Sequence, residues 1–106
     1  MDIIVYTTPD KLKHKCGLLE DDVDHSPTGD YFWRLPKMPR EIMAGDRIYF
    51  ATQGFIRGYF IIKEINFIEG IIFNCSSWVD IITPIKIVHF QGFKYAKNVV
   101  GLTKNE

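Results

Sequence analysis

Aromatic rings and cations recur along this chain near predicted turns, where binding sites concentrate. Planar bases bind proteins by stacking on aromatic faces, and Arg or Lys side chains supply hydrogen bonds to phosphates or to base edges. The residues that combine these properties are Trp33, Arg34, Phe55, Arg57, Trp78, Lys94 and Tyr95. We predict that they form a pocket for a flat base, with the two tryptophans as its stacking walls.

The same residues also have simpler explanations. Trp and Phe in small β domains usually belong to the core, and Arg34, Arg57 and Lys94 can be ordinary surface charges. Successive residues of a strand point to opposite faces, so Lys94 and its neighbour Phe93 are not expected to face one pocket. At the level of sequence, pocket and core roles both stay open for the aromatic residues.

Metal-binding and catalytic patterns are weak. His14 and Cys16 form an H-x-C pair, but a zinc site needs about four ligands at suitable spacing. The acidic segment Glu20–Asp30 lacks the calcium-loop pattern and is predicted to be a solvated loop. Cys16 near His14 lacks a third, orienting group, so a buried thiol is favoured over a nucleophile. We therefore predict no metal, no cofactor and no catalytic residue, and binding in preference to catalysis.

The elements that must position these residues are mostly strands. A helix is predicted to begin after Thr8, with Thr8 as N-cap and Pro9 at the first helical position, and to end near Gly17. Its lysines, Lys11, Lys13 and Lys15, form a solvated face or touch a nucleic-acid backbone. Arg40–Ala44 is predicted to form one helical turn. The predicted strands are Asp2–Tyr6, Arg47–Thr52, Phe55–Ile65, Ile71–Cys75, Pro84–Phe90 and Phe93–Ala96. Trp78–Ile82 is predicted to be a short extended piece, because Pro84 excludes a central strand there.

Composition supports a single β-rich domain over residues 1–106. Fifteen isoleucines and 14% aromatic residues favour pleated sheet. The turn signal Gln53-Gly54 predicts a hairpin between its two flanking strands. The fold class that follows is mainly β with one or two short helices (α+β), arranged as a small twisted barrel of about five to six strands.

Charge and apolar patterning exclude several classes of protein. The chain has 13 basic and 13 acidic residues, which argues against coating of long duplex DNA by charge alone. Its longest apolar run, Ile65–Phe73, is interrupted and too short to cross a membrane. With two cysteines and no visible signal peptide, we expect a reduced, cytoplasmic protein without membrane contact. Neutral charge and the acidic loop leave a protein-interaction module as an alternative function.

One stretch resembles a known superfamily. Glu41–Ile65 contains a Gly45-Asp46 turn, a strand, a short turn and a second strand with Gly58 in its first half. This order resembles the PUA-like superfamily, which includes the PUA, ASCH and EVE domains. Pro84–Tyr95 resembles the closing strand and the Gly-Phe-x-Tyr ending of EVE-type members. Trp33 falls where those members often hold an aromatic residue.

The resemblance implies a pseudo-barrel with a cleft between sheet and helix. Relatives commonly bind RNA or hold a modified base in an aromatic pocket. The Gly-x-Lys-x-x-Glu-x-Arg motif of many ASCH domains is not found, so enzymatic activity is not carried over. The leading prediction is therefore a domain that binds RNA or a modified nucleobase or nucleotide. A protein-interaction module is the alternative, and a small nucleoside hydrolase ranks third.

Overall fold

A computed structural model of the chain describes residues 1–15 and 28–98, apart from the side chains of His14 and Asn98. The prediction of a mainly β domain with little helix is confirmed. Short 3₁₀ turns occur at Cys75–Ser77 and Ala96–Asn98. The principal elements are β1 (Ile3–Tyr6), α1 (Pro9–Lys15), β2 (Asp30–Trp33), β3 (Arg47–Thr52), β4 (Phe55–Asn66), β5 (Gly70–Asn74), β6 (Val79–Lys86) and β7 (Phe93–Tyr95).

The seven strands form one sheet in the order β2-β5-β4-β3-β1-β7, with β6 also paired to β4. Strand β1 runs parallel to β3, and the other pairs are antiparallel. The first half of β4 lies between β3 and β6, and its second half pairs with β5. Within the described residues, β2 and β7 end this path without pairing to each other. The sheet is therefore open, with seven strands where five or six were predicted.

The two faces of the sheet bury different clusters, because alternate residues of a strand point to opposite sides. On the face that α1 covers, Leu12 of the helix packs with Ile3, Val5, Phe50 and Phe60 in one cluster. We call this the helix face. The other face, called here the opposite face, buries a second cluster made of Ile4, Tyr49, Ala51, Ile56, Ile81 and Ala96.

Helix α1 begins as predicted. The Thr8 Oγ1 accepts a hydrogen bond from the backbone N of Lys11 at 3.3 Å, which is the N-cap contact. Pro9 occupies the first helical position, where no intrahelical N–H bond is needed. The predicted end at Gly17 and most of the acidic loop, residues 16–27, lie outside the described residues.

The hairpin predicted at Gln53-Gly54 is also confirmed. Thr52 pairs with Phe55, so the connection has two residues. Gln53 has φ of 53° and Gly54 has φ of 85°, and two positive values are typical of the type I′ turn that matches strand twist. Gln53 is the one described non-glycine residue with positive φ.

Two local predictions are wrong. The extended piece Trp78–Ile82 and the strand Pro84–Phe90 were predicted to be separate, but Val79–Lys86 is one strand. Pro84 is tolerated because β6 pairs with β4 only at Val79–Asp80 and Ile85–Lys86, so the missing N–H breaks no ladder bond. The helical turn expected at Arg40–Ala44 is absent. There Asp46 forms a turn, with its Oδ2 accepting the backbone N–H of Met43 at 2.9 Å.

Candidate functional site

The structure separates the seven predicted site residues into groups. Trp78 and Arg57 line one cavity, which we call the Trp78 cavity. Trp33 and Arg34 line another, which we call the Trp33 cavity. The two tryptophans therefore line different cavities instead of facing each other. Phe55 lies beside Arg57, while Lys94 and Tyr95 line neither cavity.

The Trp78 cavity lies between α1 and the sheet and has a volume of about 270 Å³. Its wall is the half-buried Trp78 indole, which packs against Phe60 with ring centroids 4.8 Å apart. The Trp78 Nε1 donates a hydrogen bond to Asp80 Oδ1 at 2.7 Å, and this contact sets the orientation of the ring. The lining residues are Pro9, Leu12, Lys13, Thr52, Arg57, Trp78 and Asp80.

Gly58 allows the indole to approach β4 closely. A Cβ atom at this position would lie about 2.5 Å from Trp78 Cζ2, and closer still to the backbone oxygen of Val79. Real Cβ atoms do not occupy such positions without movement of their neighbours. In the sequence, Gly58 stood out only as part of the strand pattern that resembles the PUA-like superfamily. The structure adds a packing reason, because the glycine gives space for the wall of the cavity.

Thr52 contributes an unusual group to the same cavity. Its side chain is 4% exposed, and its Oγ1 has no hydrogen-bond partner among the described residues. A buried hydroxyl without a partner destabilises a protein by about 1–3 kcal/mol. Thr52 lines the cavity, and a ligand whose polar edge displaces the atoms that cover Oγ1 would remove that penalty. Sequence reasoning missed Thr52, although a hydroxyl at the end of the apolar strand Ile48–Ala51 was the available signal.

Two cations lie at the rim of the Trp78 cavity. The Arg57 guanidinium carbon is 5.2 Å from the centroid of the Phe55 ring, so the half-exposed ring supports the cation. Lys13 approaches from α1. Within residues 1–15 and 28–98, neither cation forms an ion pair. Both can therefore accept a phosphate or a carbonyl group as partner.

The Trp33 cavity has a volume of about 460 Å³ and combines cations with aromatic rings. Trp33 packs edge-on against Phe50, with centroids 5.2 Å apart, and is thus anchored in the core. Its neighbour Phe32 is 44% exposed. The lining residues are Asp10, Lys11, Lys15, Phe32, Trp33 and Arg34.

Lys15 has a perturbed environment in this cavity. Its Nζ lies 5.0 Å from the centroid of Phe32 and 6.0 Å from that of Tyr31. Burial lowers the pKa of Lys15 below its usual range, and the positive charge of Lys11 lowers it further. The ammonium is therefore less stable here than in water, and an anion placed in the cavity would stabilise it.

The last two predicted site residues have other environments. Lys94 extends over the ring of Phe90 at 5.1 Å, and Phe90 packs on the opposite face. Phe93 and Tyr95 pack on the helix face, as the alternation along the strand predicted. The Tyr95 hydroxyl accepts a hydrogen bond from the backbone N of Glu41 at 3.3 Å. Tyr95 therefore links β7 to the segment between β2 and β3.

The described residues show neither a metal-binding cluster nor a membrane-spanning helix. The described residues contain no group of three or more His, Cys, Asp or Glu side chains placed to hold a metal ion. The His14 side chain, Cys16 and the acidic residues between positions 20 and 24 lie outside the described part of the chain. In the described part of the chain, no helix is long and apolar enough to cross a membrane.

Comparison with known proteins gives no match: no family model, no curated protein and no solved structure is significantly similar to the chain. The function must therefore be argued from the geometry of the two cavities. Of these, the Trp78 cavity offers the better defined polar group, since it contains a buried hydroxyl without a partner.

Proposed function

We propose that this chain is a PUA-like domain that binds RNA or a modified nucleobase or nucleotide, and that the base occupies the Trp78 cavity. The observation that supports this most strongly is the buried Thr52 Oγ1, which has no partner among the described residues and belongs to a cavity walled by an anchored indole. A base offers both a flat face for the indole and a polar edge for the hydroxyl.

Each residue of the cavity has a role in this proposal. Trp78 stacks on the base, and Asp80 holds the indole through its Nε1. Thr52 hydrogen-bonds to the base edge, which allows the site to discriminate between bases. Arg57 and Lys13 bind a phosphate at the rim. The volume of about 270 Å³ lies near the lower limit of small-molecule sites, about 300–1,000 Å³, so one base suits the cavity better than a large cofactor.

The test compares Thr52→Val with Thr7→Val. Thr7 is a matched control because its Oγ1 is also buried without a described partner, but it does not line the cavity. Valine removes an unpaired hydroxyl in both variants, so neither should be less stable than the original chain. Only Thr52→Val should weaken binding of the preferred nucleoside, by about tenfold, because the base loses one hydrogen bond in a dry site.

Binding is measured by tryptophan fluorescence in a Trp33→Phe background, so that the signal comes from Trp78. A panel of plain and modified nucleosides and short single-stranded RNA is titrated at two salt concentrations. Quenching by a nucleoside that persists at the higher salt is the expected result, since stacking depends little on salt. Equal affinity of the two valine variants, or no response to any ligand, would contradict the proposal.

A second candidate function, protein interaction, is favoured by one surface. Phe67 at the β4–β5 turn is 90% exposed and lies at a cavity of about 420 Å³ that Met38, Ile42 and Ile65 also line. Exposed apolar patches of this kind often mark interfaces. Concentration-dependent association in analytical ultracentrifugation that Phe67→Ser abolishes would support this function. A monomer at all concentrations, with nucleoside binding intact, would favour the first proposal.

A further inference from the structure

The two cavities lie on opposite sides of the same helix. Lys11 and Lys15 are four residues apart, share one side of α1 and line the Trp33 cavity. Leu12 and Lys13 line the Trp78 cavity on the other side. Helix α1 therefore forms a ridge between two sites that each contain a tryptophan and an arginine.

Positive charge is concentrated around this ridge. The whole chain is neutral, with 13 basic and 13 acidic residues. The two cavities, by contrast, contain five cations and two carboxylates, Asp10 and Asp80. Asp80 is already engaged by the Trp78 indole. A local excess of this size, in a neutral protein, is typical of a surface that contacts several phosphates.

Phe32 gives the Trp33 cavity an accessible stacking surface. Its ring is 44% exposed, although its neighbours Tyr31 and Trp33 are buried or half-buried. Lys15 Nζ and the Arg34 guanidinium carbon lie 5.0 Å and 5.8 Å from its centroid. An exposed ring with two cations near it is suited to a base whose phosphates contact those cations.

Resting on the proposed function, we infer that the Trp33 cavity is a second nucleotide subsite and that the ligand is a single-stranded nucleic acid crossing α1. Phe32 stacks on a second base, and Lys11, Lys15 and Arg34 bind the phosphates. A helix with its side chains is about 10–12 Å wide. The two bases therefore belong to nucleotides that are not neighbours in the strand.

The first experiment compares affinity for the preferred mononucleotide with affinity for a six-nucleotide single strand that contains it. The strand should bind the original chain at least tenfold more tightly than the mononucleotide. Phe32→Ala should remove most of this gain and leave mononucleotide affinity unchanged. Ile82→Ala is the control, because Ile82 is a highly exposed apolar residue outside both cavities, and it should leave both affinities unchanged.

The second experiment measures how the affinity for the strand depends on salt. Each lost phosphate contact should reduce the slope of log K against log salt concentration by about 0.7. Lys11→Ala and Lys15→Ala should each show this reduction. Lys94→Ala should not, because Lys94 extends over Phe90, away from the helix face.

The outcomes separate the inference from the proposed function. A mononucleotide that binds while the strand binds no more tightly overturns the inference and leaves the proposed function intact. A gain that persists in Phe32→Ala also overturns the inference. If neither the mononucleotide nor the strand binds, both the inference and the proposed function are wrong. RNA and DNA strands are tested in parallel. The inference is supported for each kind of strand whose tighter binding, relative to the mononucleotide, is lost in Phe32→Ala.

Discussion

At the scale of single residues, the wall of the Trp78 cavity depends on three neighbours. The Phe60 ring packs against the Trp78 indole, and Asp80 accepts a hydrogen bond from the indole nitrogen. Gly58 has no side chain and so leaves space for the indole. The sequence pointed to Trp78 and Arg57 because aromatic and cationic residues near turns are informative types, and to Gly58 only as part of the resemblance to the PUA-like superfamily. It did not point to Thr52, since a threonine in a strand is ordinary unless its hydroxyl is known to lack a partner.

Gly58→Ala tests this packing. The added methyl group would overlap the Val79 backbone and the Trp78 ring, so β6 or the indole must move. We expect the free energy of unfolding to fall by about 1–3 kcal/mol, together with weaker nucleoside binding. Urea unfolding and the fluorescence titration measure the two effects. An unchanged urea midpoint with unchanged binding would show that the contact does not constrain the cavity.

At the scale of elements, the strands between Arg47 and Asn74 were predicted to within one residue at each end. The reason is that glycine turns bound each run of apolar residues. The error at Pro84 came from the rule that proline excludes a central strand. That rule depends on where a strand pairs, and β6 pairs only at its two ends. Pairing is a non-local property that the local sequence does not contain.

The turn between β3 and β4 provides a prediction at this scale. Gln53 adopts a positive φ, which asparagine tolerates better than glutamine. We expect Gln53→Asn to raise the free energy of unfolding by up to about 1 kcal/mol. Gln91→Asn is the matched control, since Gln91 also precedes a glycine but is not among the residues with positive φ. Equal effects of the two substitutions in urea unfolding would contradict the argument.

At the scale of the whole molecule, the arrangement of the cavities could not be predicted. Trp33 and Trp78 were both identified, but α1 separates them, and the docking of a helix on a sheet follows from long-range packing. The open path of seven strands depends on the same long-range contacts, including the parallel pair β1–β3. The sequence indicated the content of strands and the types of binding residues, and the tertiary contacts decided their grouping.

A polar cluster joins three strands and makes stability depend on pH. Asp30 on β2 accepts hydrogen bonds from Lys63 on β4 at 2.7 Å and from Asn74 on β5 at 2.9 Å. The hydrogen bond from Lys63, followed by that from Asn74, lowers the pKa of Asp30 below its usual range. The stabilisation is therefore present above the pKa of the unfolded chain and is lost as pH falls through the lower folded pKa.

Asp30→Asn should reveal this dependence. At pH 7 the variant should unfold at a lower urea concentration than the original chain. The difference should shrink as the pH falls below about 4, the usual Asp pKa, because both proteins then lack the carboxylate. When Lys63→Gln is present in both proteins, the difference between their urea midpoints at pH 7 should also be smaller, because Asp30 then lacks the hydrogen bond from Lys63. A gap between the two urea midpoints that stays constant from pH 7 to pH 2 would exclude Asp30 as the source.

The position of β1 has a consequence for how the chain is made. Ile3 pairs with Ile48 on one side and with Tyr95 on the other, so β1 gains its second neighbour only when β7, the last of the seven strands in chain order, pairs with it. Until the residues of β7 emerge, one edge of an apolar strand lacks its neighbour. Strand pairs this distant in sequence form slowly, and unpaired edges invite association with other chains. A nascent chain of this protein therefore exposes an aggregation-prone strand edge until β7 has been synthesised and has paired with β1.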